Sequence, residues 1–325
     1  MTSPVSRLGR RWTGGGGAVT ATLLFLAMFA IYAAYEPPAL SAFGIGNLLN
    51  NGVVLALASA GLTLVVLAGE LDLSGSGVIA IANVVVATTS AGHLGSAGSF
   101  AVVLGLGAVV GLLNGWLVAE LGLQSLAVTI GSLIICQGVA LIILPAPGGE
   151  VAESIASNLT GDIYGLPVAA VILIGAALLW LLLKRMRRGI AIYAVGADAS
   201  AARLSGLDVR ATKLLAFVLA GLCYAAAGYV YSAEIGSGDP RVSDSFLLFM
   251  FASVAIGGTS LTGGRGGILG TLVGAGILTV MQKMLFALGV AEFYTNIFNG
   301  VIMIVAIFFG QLGPLLARLR RRKLA

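Results

Sequence analysis

KRMRRGIAIYAVGADASAARLSGLDVRATK, residues 184–213, is the longest hydrophilic passage in a chain of 325 residues. Apolar segments flank it on both sides, and it contains seven of the 18 lysines and arginines. The whole chain is 58% hydrophobic and only 10% charged, whereas a soluble domain carries about 25% charged residues. The composition therefore predicts an integral membrane protein in which this passage connects two spans.

Apolar segments of about 18–22 residues predict transmembrane helices, because barrel strands would alternate over about ten residues. We expect an all-α, polytopic bundle of about ten helices. The first segment exceeds the apolar core of a signal peptide and is interpreted as an uncleaved span. The predicted spans are roughly 18–35, 47–68, 74–92, 99–119, 125–144, 166–183, 214–234, 246–262, 267–288 and 294–313. They form a transmembrane domain, 18–313, between an N-terminal tail, 1–17, and a basic C-terminal tail, 314–325.

Basic residues fall in three clusters that hold 15 of the 18. Arg7, Arg10 and Arg11 precede the first span, seven lie in 184–213, and five lie in the C-terminal tail. Cytoplasmic loops are enriched in lysine and arginine, so all three clusters are predicted to be cytoplasmic. Six predicted spans lie between the first and second clusters, and four lie between the second and third. An even number of spans returns the chain to the same side of the membrane, so the three clusters can all be cytoplasmic. Orientation in the membrane thus explains the positive charge better than nucleic-acid binding.

Within the hydrophilic passage, a short helix is predicted with both ends marked. Asp198 suits the N-cap position and Gly206 the position after the last turn. A helix this short is marginal alone, so the membrane surface or a docked protein is expected to hold it. Its small side chains favour a protein groove over lipid. The contact residues predicted on it are Asp198, Ala199, Ala202, Arg203, Leu204, Ser205 and Gly206.

A predicted inner turn between the second and third spans contains Glu70, Asp72 and Ser74. Carboxylates near the membrane are costly and can mark a proton or cation site. Alternatively, Asp72 caps the helix that begins near Ser74, in a turn exposed at the cytoplasmic interface. Because no buried basic partner is evident, capping is the favoured interpretation.

A glycine-rich segment, GGTSLTGGR, begins at Gly257 and resembles a phosphate-binding loop. The lysine that must follow the second glycine is missing and no strand precedes it, so we expect no nucleotide here. Any ATP-driven work would need a separate subunit. We assign a turn role to Gly257, Gly258, Gly263, Gly264 and Arg265, and the small-residue ladder 266–274 that follows predicts tight helix packing.

Polar amides recur within or near the spans and could line a polar pathway. Hydrogen bonding between helices is at least as good an explanation for any single one. As a set they suit a neutral, hydroxylated solute, because no ring of arginines or lysines lies within the spans. The candidates are Asn47, Asn51, Asn83, Asn114, Gln137, Gln282 and Asn299.

Catalytic and metal-binding patterns are not evident in the sequence. His93 stands alone, and the two cysteines, Cys136 and Cys223, lie in apolar segments as packing residues would. No HExxH or GxSxG motif and no paired-carboxylate pattern occurs. We therefore expect neither an enzyme nor a metal site.

Four segments together carry a family resemblance: AGELDLSGSGVIAIAN from Ala68, GLLNGWLVAELGLQSLAVTIGSLIICQGVAL from Gly111, YAVGADASAARLSGLDVRATK from Tyr193, and AIGGTSLTGGRGGILGTLVGAGIL from Ala255. The chain resembles, from about residue 47 to 309, the permease subunits of ribose-type ATP-binding-cassette importers. The wider superfamily includes branched-chain amino-acid permeases. One departure is Glu70, where relatives usually carry a small residue, so its role is open.

The resemblance implies a multi-pass permease of the bacterial inner membrane that imports a monosaccharide or a similar small solute. It also implies as partners a second permease subunit, identical or not, ATPase subunits that bind ATP and magnesium, and an extracytoplasmic solute-binding protein. The permease itself would bind no cofactor. In such families a short cytoplasmic helix couples the permease to the ATPase, a role that would fall on residues 198–206. The alternatives are a branched-chain amino-acid permease and a stand-alone ion-coupled carrier or channel.

Overall fold

A computed structural model describes residues 16–92, 94–290, 297, 300 and 301. Within this part the chain is almost entirely helical, with one short 3₁₀ helix at Pro37–Leu40 and one two-stranded hairpin, β1 (Asp162–Ile163) and β2 (Leu166–Pro167). The helices are α1 (Gly16–Tyr35), α2 (Ala42–Leu67), α3 (Ser74–Thr89), α4 (Gly95–Ala119), α5 (Ser125–Ile143), α6 (Glu153–Thr160), α7 (Val168–Arg185), α8 (Arg187–Ala197), α9 (Ala199–Leu204), α10 (Val209–Ile235), α11 (Ser243–Ile256) and α12 (Ile268–Ala287).

Seven described helices are long and apolar enough to cross a membrane: α1, α2, α4, α5, α7, α10 and α12. The prediction of an all-α polytopic membrane protein is confirmed. α3 and α11 have only 16 and 14 residues. At 1.5 Å per residue they extend about 24 Å and 21 Å, less than the roughly 30 Å hydrocarbon core. The full spans predicted at 74–92 and 246–262 are therefore wrong in length, while the predicted tenth span and both terminal tails lie largely outside the described residues.

The two helices at the centre of the bundle are α2 and α3. α2 is buried from Gly52 to Leu67, and α3 is buried from Ser74 to Ala87. By contrast, few residues of α1, α5 and α7 are buried. Since lipid is itself apolar, this pattern is that of outer helices that face the bilayer around an inner pair.

Glycines let neighbouring helices approach closely. A Cβ added at Gly107 of α4 would lie 2.3 Å from the carbonyl oxygen of Gly221 in α10. Similarly, a Cβ at Gly270 of α12 would lie 2.1 Å from the carbonyl oxygen of Gly257, at the end of α11. The tight packing predicted for the small-residue ladder of α12 is confirmed, because only glycine permits these backbone contacts.

The hydrophilic passage is more structured than its composition suggested. Before the predicted short helix it contains α8, whose Ile192 and Val195 are buried. The ring of Tyr193 packs on Trp180 of α7, with centroids 6.0 Å apart. α8 was not predicted, because the arginines at its start hide the apolar face that follows them.

A non-helical segment follows α10 and pairs with the loop after α5. Gly236 ends α10 in the left-handed region, at φ +67°. Gly238 then exchanges two backbone hydrogen bonds with Gly148, of 2.7 and 2.9 Å. Non-helical backbone is tolerated at membrane depth only where protein groups satisfy it.

Candidate functional site

α9, the short helix of the cytoplasmic passage, has the predicted caps at both ends. The Asp198 carboxylate accepts from the amides of Ser200 and Ala201, at 2.9 and 3.0 Å. Gly206 adopts φ +80°. Its amide donates to the Arg203 carbonyl, and the Leu207 amide donates to the Ala202 carbonyl, at 3.0 and 3.1 Å. This pair of bonds is a Schellman motif, which fixes where the helix ends.

The chain itself holds α9 in place. Ala202 is only 4% exposed and packs in a small cluster with Val195 of α8 and Val209 of α10. The membrane surface or docked protein expected to hold this helix is therefore not needed for that purpose. Ala202 points into the protein, so it is not available as the contact residue that we predicted.

The outward side of α9 is not covered by the part of the chain that the structure describes. Leu204 is 91% exposed, and an apolar side chain this open on a rigid, capped helix is a candidate anchor for another protein. Of the other predicted contact residues, Ala199 is half-buried and the rest of the set is exposed: Asp198, Arg203, Ser205 and Gly206.

Behind α9, three separate segments meet at four glycines, Gly69, Gly196, Gly263 and Gly264, which we call the glycine hub. A Cβ at Gly196 would lie 1.8 Å from the Leu67 carbonyl oxygen, to which the Gly264 amide donates at 3.1 Å. Gly263 and Gly264 adopt φ +88° and +69°. The hub therefore joins the turn after α2, the end of α8 and the α11–α12 loop by backbone contact.

The α11–α12 loop is a folded turn and not a phosphate cradle. The Ser260 amide donates to the Arg265 carbonyl at 3.0 Å, and the Thr259 hydroxyl accepts from the Gly267 amide at 3.1 Å. The Tyr193 hydroxyl donates to the Gly266 carbonyl at 2.6 Å. Burial raises the pKa of Tyr193 to about 12, so the phenol keeps its proton for this bond at neutral pH. The turn role assigned to the loop fits these contacts.

The two carboxylates of the α2–α3 turn have different surroundings. Glu70 forms an ion pair with Lys213 at the start of α10, both side chains being about four-fifths buried. The sequence pattern gives no sign of this basic partner, because 143 residues separate the two. Asp72 is 2% exposed and accepts from the amide and the hydroxyl of Ser74, at 2.9 and 2.6 Å. Asp72 thus bonds to the first residue of α3 from the position before the N-cap residue, Leu73, which itself makes no side-chain cap bond, and the turn is buried instead of exposed.

Two of the predicted pathway amides are occupied by helix–helix bonds. Asn114 of α4 donates to the Ser74 hydroxyl at 2.9 Å and accepts from the Ser132 hydroxyl. Asn83 donates to the Ser232 hydroxyl and the Ser237 carbonyl, at 2.9 and 3.0 Å. The side chains of both residues therefore hold helices together, and Asn83 also bonds to the segment after α10.

Asn83 also holds the non-helical segment after α10. Its side-chain oxygen accepts from the Asp239 amide at 2.6 Å. Together with the bond to the Ser237 carbonyl, this satisfies backbone groups that would otherwise be unpaired inside the bundle.

Two other predicted amides, Asn47 and Asn51 of α2, line an outer cavity of about 550 Å³, which we call the vestibule. The β1–β2 hairpin and the last turn of α10 complete it, and Asn50, Asp162 and Glu234 contribute further polar groups. The sequence did not single out Asp162 or Glu234, although an acid near the end of a span is a recognised functional signal. Gln137 and Gln282 do not line the vestibule, and Asn299 lies outside the described residues.

Comparisons with known proteins agree with this architecture. Residues 44–307 match the family model described as "Branched-chain amino acid transport system / permease component". The chain is 31% identical over 296 residues to the ribose import permease protein RbsC of Escherichia coli K12, covering 88% of this chain and 91% of RbsC.

Two further relatives are similarly close. The ribose import permease protein RbsC of Bacillus subtilis is 32% identical over 299 residues, covering 88% and 91% of the two chains. The L-arabinose ABC transporter permease protein AraH of Azospirillum brasilense is 32% identical over 296 residues, covering 89% and 86%. No solved structure matches the chain. With the family model spanning most of its length, this chain belongs to the family of transport-system permease components.

Proposed function

We propose that the chain is the permease subunit of an ATP-binding-cassette importer and carries a monosaccharide or a similar small hydroxylated solute across the bacterial inner membrane. Relatives named for ribose and L-arabinose support this substrate class, at about one third identity over nearly the whole chain. The amides of the vestibule also suit hydroxyl groups, since amides both donate and accept hydrogen bonds.

A branched-chain amino-acid permease is the second candidate, because the family model carries that description. The named relatives favour the sugar branch. Competition of labelled D-ribose uptake by unlabelled sugars or by unlabelled leucine separates the two. A stand-alone carrier or channel would instead move solute in liposomes with no ATPase present.

ATPase and solute-binding subunits are the partners that an importer permease implies. We assign ATP and magnesium binding to the ATPase partner, since the glycine-rich loop of this chain forms backbone turns and lacks the phosphate-binding lysine. A second permease subunit, identical or related, would complete the membrane part.

We assign coupling to the ATPase to the outward side of α9. The observation that carries this assignment is a helix capped at both ends, seated on Val195 and Val209, with Leu204 91% exposed. The glycine hub joins the neighbouring α8 to the end of α2 and the loop before α12 through backbone contacts. A displacement of α9 would therefore be transmitted to these membrane-spanning helices.

The coupling assignment predicts that Leu204→Glu abolishes ATP-dependent uptake and weakens retention of the ATPase by about tenfold or more, the effect of losing one buried apolar anchor. Co-purification of the ATPase with the tagged permease measures the binding step. Leu40→Glu is the matched control, because Leu40 is 60% exposed but lies before α2 on the opposite side of the membrane. Equal ATPase retention by the two variants would refute the assignment.

A further inference from the structure

The vestibule has the size and position of a solute site. Its volume of about 550 Å³ falls within the roughly 300–1,000 Å³ typical of small-molecule pockets. It opens at the beginning of α2 and the end of α10, the ends that the distribution of basic residues assigns to the outer face. A solute arriving from outside would therefore meet it before the buried centre of the bundle.

Hydrogen bonds fix the direction in which its amides point. Lys283 donates to the side-chain oxygen of Asn47 at 3.0 Å, and Asn51 donates to the same oxygen at 2.7 Å. Because an ammonium group can only donate, the Asn47 oxygen must face Lys283, and its NH₂ group is turned away. Asn51, which donates to Asn47, retains its oxygen as an acceptor. The pair thus presents one fixed donor and one fixed acceptor.

A further acceptor lies beside this pair. Asn50 donates to the Thr160 carbonyl at 3.0 Å, while its side-chain oxygen is shielded from water and has no protein partner among the described residues. A buried acceptor without a partner costs free energy, which a hydroxyl donor from a bound molecule would recover.

Two acidic side chains also line the vestibule. Asp162 and Glu234 contribute to its wall, and within the described part of the chain neither carboxylate forms an ion pair. Asp162 accepts from the Gly165 amide at 3.1 Å and so closes the hairpin, which leaves Glu234 as the more available hydrogen-bonding group. Lys283 interacts electrostatically with Glu234, and its ammonium donates to Asn47.

We infer that the vestibule is a solute-receiving site on the permease itself, built to hydrogen-bond molecules with adjacent hydroxyl groups. Glu234 accepts from a hydroxyl, and Asn47 and Asn51 supply the complementary donor and acceptor. The inference rests on the proposed function and adds to it a site with named contact residues.

The first experiment measures uptake in liposomes that contain the complete transporter, with D-ribose, L-arabinose and D-allose as probes. Glu234→Ala is expected to lower ATP-dependent uptake by about tenfold, the effect of losing one charge-assisted hydrogen bond. Glu150→Ala is the matched control, because Glu150 is an exposed outer glutamate away from the vestibule. Solute-stimulated ATPase activity above background in the Glu234→Ala transporter shows that the variant is folded and assembled.

A second experiment does not depend on the Glu234 variant or on transport. An Ala42→Cys chain, with the cysteine on the wall of the vestibule but outside the proposed hydrogen-bonding groups, is labelled from outside with a membrane-impermeant maleimide. The unmodified chain gives the background for Cys136 and Cys223. D-ribose at high concentration is expected to slow labelling, while leucine at the same concentration has no effect. Equal protection by both, or protection only by the solute-binding protein, would overturn the inference.

The outcomes distinguish a failure of the inference from a failure of the proposed function. If none of the probes gives ATP-dependent uptake in the unmodified transporter, the proposed function fails for these sugars. If uptake occurs but Glu234→Ala matches Glu150→Ala, the function stands and the vestibule site is refuted.

Discussion

The cytoplasmic and outer sides of the bundle are built from different kinds of contact. At the glycine hub, backbones from three segments touch directly, with no room for a Cβ at Gly196. At the vestibule, side chains surround a cavity of about 550 Å³. We propose that the close-packed side acts as a rigid joint that passes on a movement and that the cavity receives a solute, the two tasks of an importer permease.

The glycine hub offers the largest expected effect. Gly196→Ala would place a methyl carbon 1.8 Å from the Leu67 carbonyl oxygen, and we expect a loss of about 3 kcal/mol or more from overpacking against backbone that cannot yield. The midpoint of thermal unfolding in detergent measures it.

Gly138→Ala in α5 is the matched control, because a Cβ there meets nothing within 4 Å. It should be neutral or slightly stabilising, by about 0.5–1 kcal/mol. If Gly196→Ala were equally tolerated, the hub would not be the rigid joint described above.

On the outer side, Asn83 tests how much the hydrogen bonds beneath the vestibule contribute to stability, for comparison with the backbone packing of the hub. Asn83→Ala removes the partners of the Asp239 amide and the Ser237 carbonyl, and we expect a loss of about 2 kcal/mol from buried backbone groups left unpaired. Asn51→Ala, at an exposed amide on the vestibule, should cost less than about 0.5 kcal/mol. Equal shifts of the unfolding midpoint in the two variants would contradict this division.

The smallest expected effect is the coupling energy of two ion pairs at the beginning of α10. A double-mutant cycle with Glu70→Gln and Lys213→Met should give a coupling energy of about 1 kcal/mol, at the upper end for pairs near a surface. Glu120 and Arg210, which pair at 2.9 Å with 41% and 61% of their side chains exposed, should give no more than about 0.3 kcal/mol. A coupling energy for Glu120 and Arg210 larger than that for Glu70 and Lys213 would contradict the prediction that the more buried pair contributes more to holding α10.

Local patterns predicted the parts of the fold that depend on short-range chemistry. The membrane class, most spans and both caps of α9 follow from hydropathy, length and residue type, which act within a few turns of chain. The glycine-rich segment from Gly257 was also recognisable as a turn, because the residue required for phosphate binding is missing.

Several predictions failed where distant segments meet. Ala202 was assigned to the contact surface, yet it faces Val195 and Val209. The partner of Glu70 was missed, since Lys213 lies 143 residues further along the chain. For Asn83 and Asn114 the sequence left open a polar pathway or hydrogen bonding between helices, and the structure shows such bonds for both, with Asn83 also bonded to a loop.

By itself, the sequence determined that this chain is a helical membrane protein with a capped cytoplasmic helix, because hydrophobicity and capping are properties of neighbouring residues. Only the tertiary structure decided how the hydrophilic passage 184–213 is arranged. It places α8 against the glycine hub and seats α9 on it so that Leu204 faces outward. The physical reason is that a side chain's direction, and the partner of a buried charge, depend on which distant backbones can approach.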